Sequence, residues 1–249
     1  MSKIALVGGV KITQAVLHAM QCMGKNPELL VTYDESRGDA AGFWVPDTET
    51  LPPGTKWETV RDINDIHACH VLGDHWLIIV AGWSQIVDLK ADYRRHDQTW
   101  IGFHPTLLPE GRGRAPIPWT ILKGLTVTGA TLFKLTPECD AGPIYGQIKF
   151  PVAPDETSTT LYAKHEAAYA GLIRSCLGGI LDGSLLPFAQ DHAKATYWPK
   201  RTPEDSEVHI GWAWESIDRH LRAMTDPYPP PFTFAGVDNP QKLYVRREP

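Results

Sequence analysis

Residues 3–33 read KIALVGGVKITQAVLHAMQCMGKNPELLVTY, and the order of patterns within them decides the fold. Residues 3–8 form a short apolar run that ends on glycine, the mark of a buried strand. Ala15, Val16, Ala19 and Met20 then recur at helical spacing across 13–23. Residues 29–33 (LLVTY) give a second strand. Strand, helix and strand in this order open a doubly wound parallel sheet. The LVGGV turn lacks the GxGxxG spacing, so it carries no dinucleotide-binding signal.

Outward from this unit, the spacing predicts a short helix over 64–70 and a buried central strand over 76–81 (WLIIVA). A further strand is expected over 101–104, and a helix over 116–123 with prolines near its start, where they are tolerated. Residues 126–135 and 144–150 alternate like two paired strands, and 158–181 reads as a long helix closed by Asp182 and Gly183. Residues 34–63 show no regular pattern. Past 190 the texture changes. Residues 195–206 are polar, aromatic and turn-rich, and 212–224 predicts a helix. Residues 226–234 (DPYPPPFTF) hold four prolines, at 227, 229, 230 and 231, which exclude regular structure there. Residues 242–246 suggest a last strand. The expected class is α/β, a doubly wound, mostly parallel, Rossmann-like sheet over 1–190, followed by a linker and a small C-terminal extension over 191–249.

Composition narrows the function. The 249 residues are 43% hydrophobic and 21% charged, ordinary values for a soluble globular protein. The net charge of −5 supplies no global basic field, so no nucleic-acid partner is expected. Cys22, Cys69, Cys139 and Cys176 contain no CxxC pair, which argues against a structural zinc site and for a reducing compartment. No apolar run approaches the ~18 residues of a membrane span, so a cytoplasmic protein without a membrane partner is expected.

The chemistry concentrates in residues 101–124, IGFHPTLLPEGRGRAPIPWTILKG. His104 leaves a strand end, and open α/β sheets place ligands at the carboxyl ends of their strands. The loop 105–109 offers apolar side chains between prolines, suited to one wall of a pocket for a flat ring. Arg112, Gly113 and Arg114 combine forked cationic donors with glycine backbone, a pairing that favours phosphate or carboxylate. A second stretch, residues 136–147 (TPECDAGPIYGQ), sets Asp140 in a loop between two strands. A carboxylate within reach of His104 would orient the imidazole and favour its charged form. Singly, each has a plainer reading: a structural histidine, a turn aspartate, solvated arginines.

Together these segments resemble the formyltransferases that use N10-formyltetrahydrofolate, a family that includes the methionyl-tRNA, glycinamide ribonucleotide and sugar N-formyltransferases. The family pattern is an Asn-x-His-Pro-Ser-Leu-Leu-Pro loop, an Arg-Gly with a downstream Pro and Trp, then Asp-x-Gly and a Gln. The corresponding residues are His104, Pro105, Thr106, Leu107, Leu108 and Pro109, then Arg112, Gly113, Pro116 and Trp119, then Asp140, Gly142 and Gln147. The likeness extends to residues 82–86 (GWSQI) and 198–205 (WPKRTPED), and covers about 3–234.

The resemblance implies His104 and Asp140 as catalytic residues, with Gly102 standing where the family has its catalytic Asn. An oxyanion donor of that kind contributes ~3–4 kcal/mol. Protonated His104, a backbone N–H at Gly102, a water, Thr106, Ser84 and Gln85 are the candidate substitutes. The resemblance further implies a folate side formed by Trp83, Ser84, Gln85, Ile86, Leu107, Leu108 and Cys139. The acceptor side would be Thr106, Pro109, Arg112, Gly113, Arg114, Lys200, Arg201, Tyr228 and Phe232. N10-formyltetrahydrofolate is the implied co-substrate, with no metal. The short aromatic C-terminus favours a nucleotide-linked amino sugar as acceptor and a possible homodimer. The alternatives are another amine (an amino acid, a purine precursor or methionyl-tRNA), a formyl-folate hydrolase, or a weakly active folate-binding homologue.

Overall fold

In the computed structural model, which describes residues 3–34, 36, 42–91, 95, 97–209, 211–235 and 241–245, the opening unit is β1 (Ile4–Val7), α1 (Lys11–Cys22) and β2 (Leu29–Tyr33). Every residue of β1 and β2 is buried, as continuous apolar strands covered on both faces must be. Helix α1 starts two residues before the expected position, because the extended Val10 serves as its N-cap and its backbone N–H donates to Thr13 Oγ1 at 3.3 Å. The Thr13 hydroxyl also donates to the Ala81 carbonyl at 2.8 Å, fixing the helix start against the sheet.

The chain continues through β3 (Lys56–Val60), α2 (Ile66–Leu72), β4 (Leu77–Val80), β5 (Thr99–His104), β6 (Arg112–Gly113), α3 (Pro116–Leu122), β7 (Val127–Lys134), β8 (Ile144–Pro151) and α4 (Ser158–Asp182). The main sheet has seven strands in the order β3-β2-β1-β4-β5-β7-β8. From β3 to β5 neighbours run parallel, with Val7 opposite Val80 and Val80 opposite Gly102. Strands β7 and β8 join antiparallel, with His104 opposite Thr131. Leu6, Leu77, Ile79 and Ile101 pack on one face against Val16 and Met20 of α1 and Leu172 and Ile173 of α4. Val7, Val31, Ile78 and Trp100 pack on the other against Ala68 and Leu72 of α2. Each large aliphatic side chain buried in this way contributes about 1.5–3 kcal/mol. Helices therefore cover both faces, as the doubly wound expectation required.

Strand β3 went unread in the sequence because it is an edge strand: only Val60 of its five residues is buried. The remaining elements are β9 (Tyr197–Trp198), α5 (Trp214–Ala223) and the hairpin β10 (Phe232–Ala235) with β11 (Gln241–Tyr244). Residues 232–234 of the proline-rich segment thus form a strand, because the prolines end at 231 and leave the following backbone N–H groups free to pair. The expected last strand ran to Arg246, which lies outside the described residues. The segment past 190 is built into the rest: β9 pairs with β6, and Ala223 and Met224 pack with Ile117, Ile121 and Leu161. No helix among the described residues is long and apolar enough to cross a membrane.

Candidate active site

Strand β5 delivers His104 to the carboxyl end of the parallel strands, where the side chain is buried. Its Nε2 lies 2.7 Å from the Gly111 carbonyl oxygen. A carbonyl only accepts, so the network assigns a proton to Nε2 and leaves Nδ1 as the ring atom free to exchange one. Nδ1 faces Asp140 Oδ1 at 3.7 Å. Asp140 sits between β7 and β8 with φ 54°, in the left-handed region that aspartate tolerates better than most residues. Its Oδ2 accepts the Gly113 N–H at 2.8 Å and the Cys139 thiol at 3.4 Å. Gly113 has φ 108°, and a Cβ there would lie 2.4 Å from the Trp198 carbonyl oxygen, so only glycine brings this N–H to the carboxylate. Burial, then the Asp140 charge, push the Cys139 thiol up to about 11. It is a hydrogen-bond donor at neutral pH and not a nucleophile.

The pair opens into a cleft of about 500 Å³. One side is the 82–87 loop, where the Trp83 ring stacks on Tyr33 with centroids 3.9 Å apart and planes 21° from parallel. Ser84 N–H donates to the Tyr33 hydroxyl oxygen at 2.6 Å, and that hydroxyl donates to Ser84 Oγ at 3.0 Å. The Gln85 side chain is spent on the loop itself: Oε1 accepts from Ile63 N–H at 3.0 Å and Trp83 Nε1 at 3.2 Å, and Nε2 donates to the Arg61 carbonyl at 3.1 Å. Arg114, Lys200 and Arg201 bring positive charge to the lining, and Arg114 Nη1 donates to the Ser84 carbonyl at 2.8 Å. Tyr162, Tyr169 and Tyr228 also line the cleft, and burial holds their phenols well above the usual range, so they remain neutral.

Of the residues singled out in the sequence, His104, Asp140, Gly102, Trp83, Ser84, Gln85, Ile86, Cys139, Gly113, Arg114, Lys200, Arg201 and Tyr228 all line this cleft. Six others do not. Arg112, expected at a ligand, is 1% exposed and bound within the protein by Gln190, His192 and Tyr197. Thr106 is buried, with its hydroxyl donated to the Glu110 carbonyl at 2.6 Å. Leu107 packs over Gly129, and Leu108 joins a core cluster with Phe133 and Ile144. The Pro109 carbonyl accepts the Thr196 N–H. Phe232 is buried under Phe234 and Lys242 in the terminal hairpin. Leu108 thus enters the core, while Leu107 lies half-buried over Gly129, and neither lines the cleft.

Gly102 has a structural counterpart. A Cβ there would lie 2.8 Å from Leu135 Cδ2, so the Leu135 side chain fills the space a longer residue would take. Gly102 itself is in register with Val80 and Phe133 on either side, which commits its backbone to the sheet. Leu135, Tyr33, Tyr162 and Tyr169 were missed as lining residues. Tyr33 had a legible signal, the carboxyl end of β2. Tyr162 and Tyr169 stand seven residues apart on α4, a spacing indistinguishable from core packing. A second depression of about 310 Å³, at Leu122, Trp212, Arg219 and His220, lies away from the His104–Asp140 pair.

An imidazole and a carboxylate thus meet at a strand end and open into a cleft with an aromatic side and a cationic rim, an arrangement suited to proton transfer beside a bound anion. Residues 72–175, from the end of α2 into α4, match the formyl transferase family model. Solved structures share the fold. A 4-N formyltransferase from Francisella tularensis is similar over 100% of this chain and 98% of its own, with 19% identity and a TM-score of 0.75. A sugar N-formyltransferase from a Shewanella species is similar over 99% and 97%, with 15% identity and a TM-score of 0.75. HypX from Aquifex aeolicus, solved with tetrahydrofolic acid, matches 93% of this chain at 16% identity and a TM-score of 0.69, and the chain spans only 35% of HypX.

Proposed function

We propose that this enzyme transfers the formyl group of N10-formyltetrahydrofolate to the amine of a nucleotide-linked amino sugar, with His104 and Asp140 as its catalytic residues. The observation that carries the reading is the 3.7 Å approach of His104 Nδ1 to Asp140 Oδ1 inside a cleft that also holds Trp83, Arg114, Lys200 and Arg201. The aromatic side fits a flat pteridine ring, held between Trp83 and Ile86 and on the backbone of 82–87. The donor supplies an activated formyl carbon. An amine adding to such a carbon needs a proton donor for the oxygen and an acceptor for its own proton.

His104 and Asp140 supply both. With Nε2–H anchored on Gly111, a protonated Nδ1 is the donor left to the formyl oxygen, and Asp140 Oδ1 beside it stabilises that charge and accepts the amine proton; when the tetrahedral adduct collapses, the bond from the formyl carbon to N10 breaks and N10 leaves with that proton. Arg114, Lys200 and Arg201 are the groups for a diphosphate, and Tyr228 the ring for the acceptor side. The name of the Shewanella enzyme, a sugar N-formyltransferase, supports a sugar amine. The test is transfer from N10-formyltetrahydrofolate to a panel of nucleotide-linked 3-amino and 4-amino sugars. Formylated sugar supports the reading. Formate release alone, or formylation only of amino acids, purine precursors or methionyl-tRNA, overturns it.

A further inference from the structure

Asp140 is gripped at both ends, and one grip lies wholly inside the protein. Its carboxylate takes the Gly113 N–H, while its own backbone carbonyl takes a side-chain amide from fifty residues downstream, Gln190, at 2.9 Å. The second Gln190 Nε2 hydrogen goes to the Gly142 carbonyl at 2.7 Å. The amide therefore straddles the turn that sets Asp140 at φ 54°. Its orientation is not left to chance. Gln190 Oε1 receives Arg112 Nε at 3.2 Å and Nη2 at 2.7 Å, so the amide nitrogen must point the other way, at the two carbonyls. Arg112 is 1% exposed and Gln190 6%. The guanidinium is completed by the Tyr197 hydroxyl at 3.0 Å, His192 Nδ1 at 3.1 Å and Glu138 Oε1 at 3.6 Å.

We propose that Gln190, oriented by the buried Arg112, is a positioning residue for the Asp140 carboxylate. This rests on the reading of Asp140 as catalytic. Strand β6 then holds Asp140 twice, directly through the Gly113 N–H and indirectly through the Arg112 side chain and Gln190. The geometry explains why an arginine beside the cleft is turned inward: its charge holds a backbone turn and does not meet a ligand. A carboxylate that must stay beside an imidazole while protons move needs its backbone fixed to within a fraction of an ångström. A turn residue in the left-handed region keeps that setting only while its flanking carbonyls are held.

The discriminating variant is Gln190→Glu. It keeps an acceptor for Arg112, but presents oxygen to two carbonyls that need a donor. Gln190→Met removes both contacts. With N10-formyltetrahydrofolate and a nucleotide-linked 4-amino sugar, kcat of the folded Gln190→Glu enzyme is expected to fall about tenfold, with both KM values changed less than about twofold and the acid limb of the kcat–pH profile displaced. Gln190→Met falls at least as far. Added to Asp140→Asn, either change causes little further loss, because the residues act as a unit. A purely structural role would lower the melting temperature and leave kcat per folded molecule and its pH profile unchanged in both variants, and that result overturns the proposal. If Asp140→Asn collapses kcat while both Gln190 variants keep it, the positioning role alone fails. If Asp140→Asn itself keeps kcat, the catalytic reading of Asp140 fails instead.

Discussion

Two buried histidines lie on the same side of the molecule, linked by a short run of rings, and they are used in opposite ways. His104, at the end of β5, has the Gly111 carbonyl hydrogen-bonded at Nε2 and the Asp140 carboxylate 3.7 Å from Nδ1. His165, inside α4, is fully buried with neither nitrogen hydrogen-bonded among the described residues. It sits edge-on to Phe150 at 5.0 Å and to Tyr169 at 6.3 Å, and Tyr169 stacks on Phe103 at 4.4 Å, next to His104. Burial first, and the proximity of His104 second, push the His165 imidazole down to about 3. The contrast teaches that burial alone makes a histidine an inert, costly aromatic ring, and that a ring at similar depth with a polar partner is spared that cost.

The largest effect should come from breaking the partnered histidine. Asp140→Asn or His104→Ala is expected to cut formyl transfer by at least about 10²-fold, roughly 2.7 kcal/mol of barrier, with the fold retained. Turnover near wild type in either would erase the contrast. The unpartnered ring should respond in the reverse sense. Replacing His165 with Leu, of similar volume, removes two unsatisfied buried polar atoms, each costing about 1–3 kcal/mol, and should raise the melting temperature with little change in kcat. A pH series sharpens this. The folded His165 stays neutral down to about 3, whereas the unfolded ring protonates below 6.5. The unfolded chain thus binds the extra proton, and stability falls as pH drops through that window, by up to about 1.4 kcal/mol per unit. In His165→Leu that component of the slope should vanish in denaturant titrations, and an unchanged slope would refute it.

Smaller effects test the surroundings of His104. Gly102→Asn drives its Cβ into Leu135 and should cost about 1–3 kcal/mol of stability. Gly102→Asn with Leu135→Ala should recover part of that loss, measured as a non-additive double-mutant cycle. Strict additivity would mean that Leu135 is not what fills the space. Smallest of all, Lys200→Ala, an exposed cation on the cleft lining, should raise the acceptor KM only a few-fold with kcat unchanged, since an exposed ion pair contributes about 0–1 kcal/mol.

What the sequence disclosed follows the same division. Patterns that repeat locally were legible: β1, α1 and β2, the buried β4, and the long α4 announce themselves by period and length. His104 and Asp140 were legible because each ends or interrupts a strand beside glycine and proline. Edge strand β3 was not, because KWETV carries charge where a central strand carries leucine. Arg112 was misread because a forked donor beside glycines has the same local signature whether it turns to solvent or to the interior. Gln190 had no signal at all, since its meaning lies in two carbonyls fifty residues away. Leu108 shows the remaining limit: an apolar loop residue looks alike whether it walls a cavity or fills a core.

The pairing of β9 with β6 has a consequence for how the enzyme comes into being. Translation delivers the N-terminal end first. All seven strands of the main sheet exist once Pro151 has been made, yet the Arg112–Gly113 backbone finds its neighbours only when Tyr197 and Trp198 arrive. A nascent chain halted between those points owns its main sheet but lacks the partner strand of β6, whose Gly113 N–H meets Asp140. That partner arrives late, in a stretch of polypeptide that contributes nothing to the main sheet.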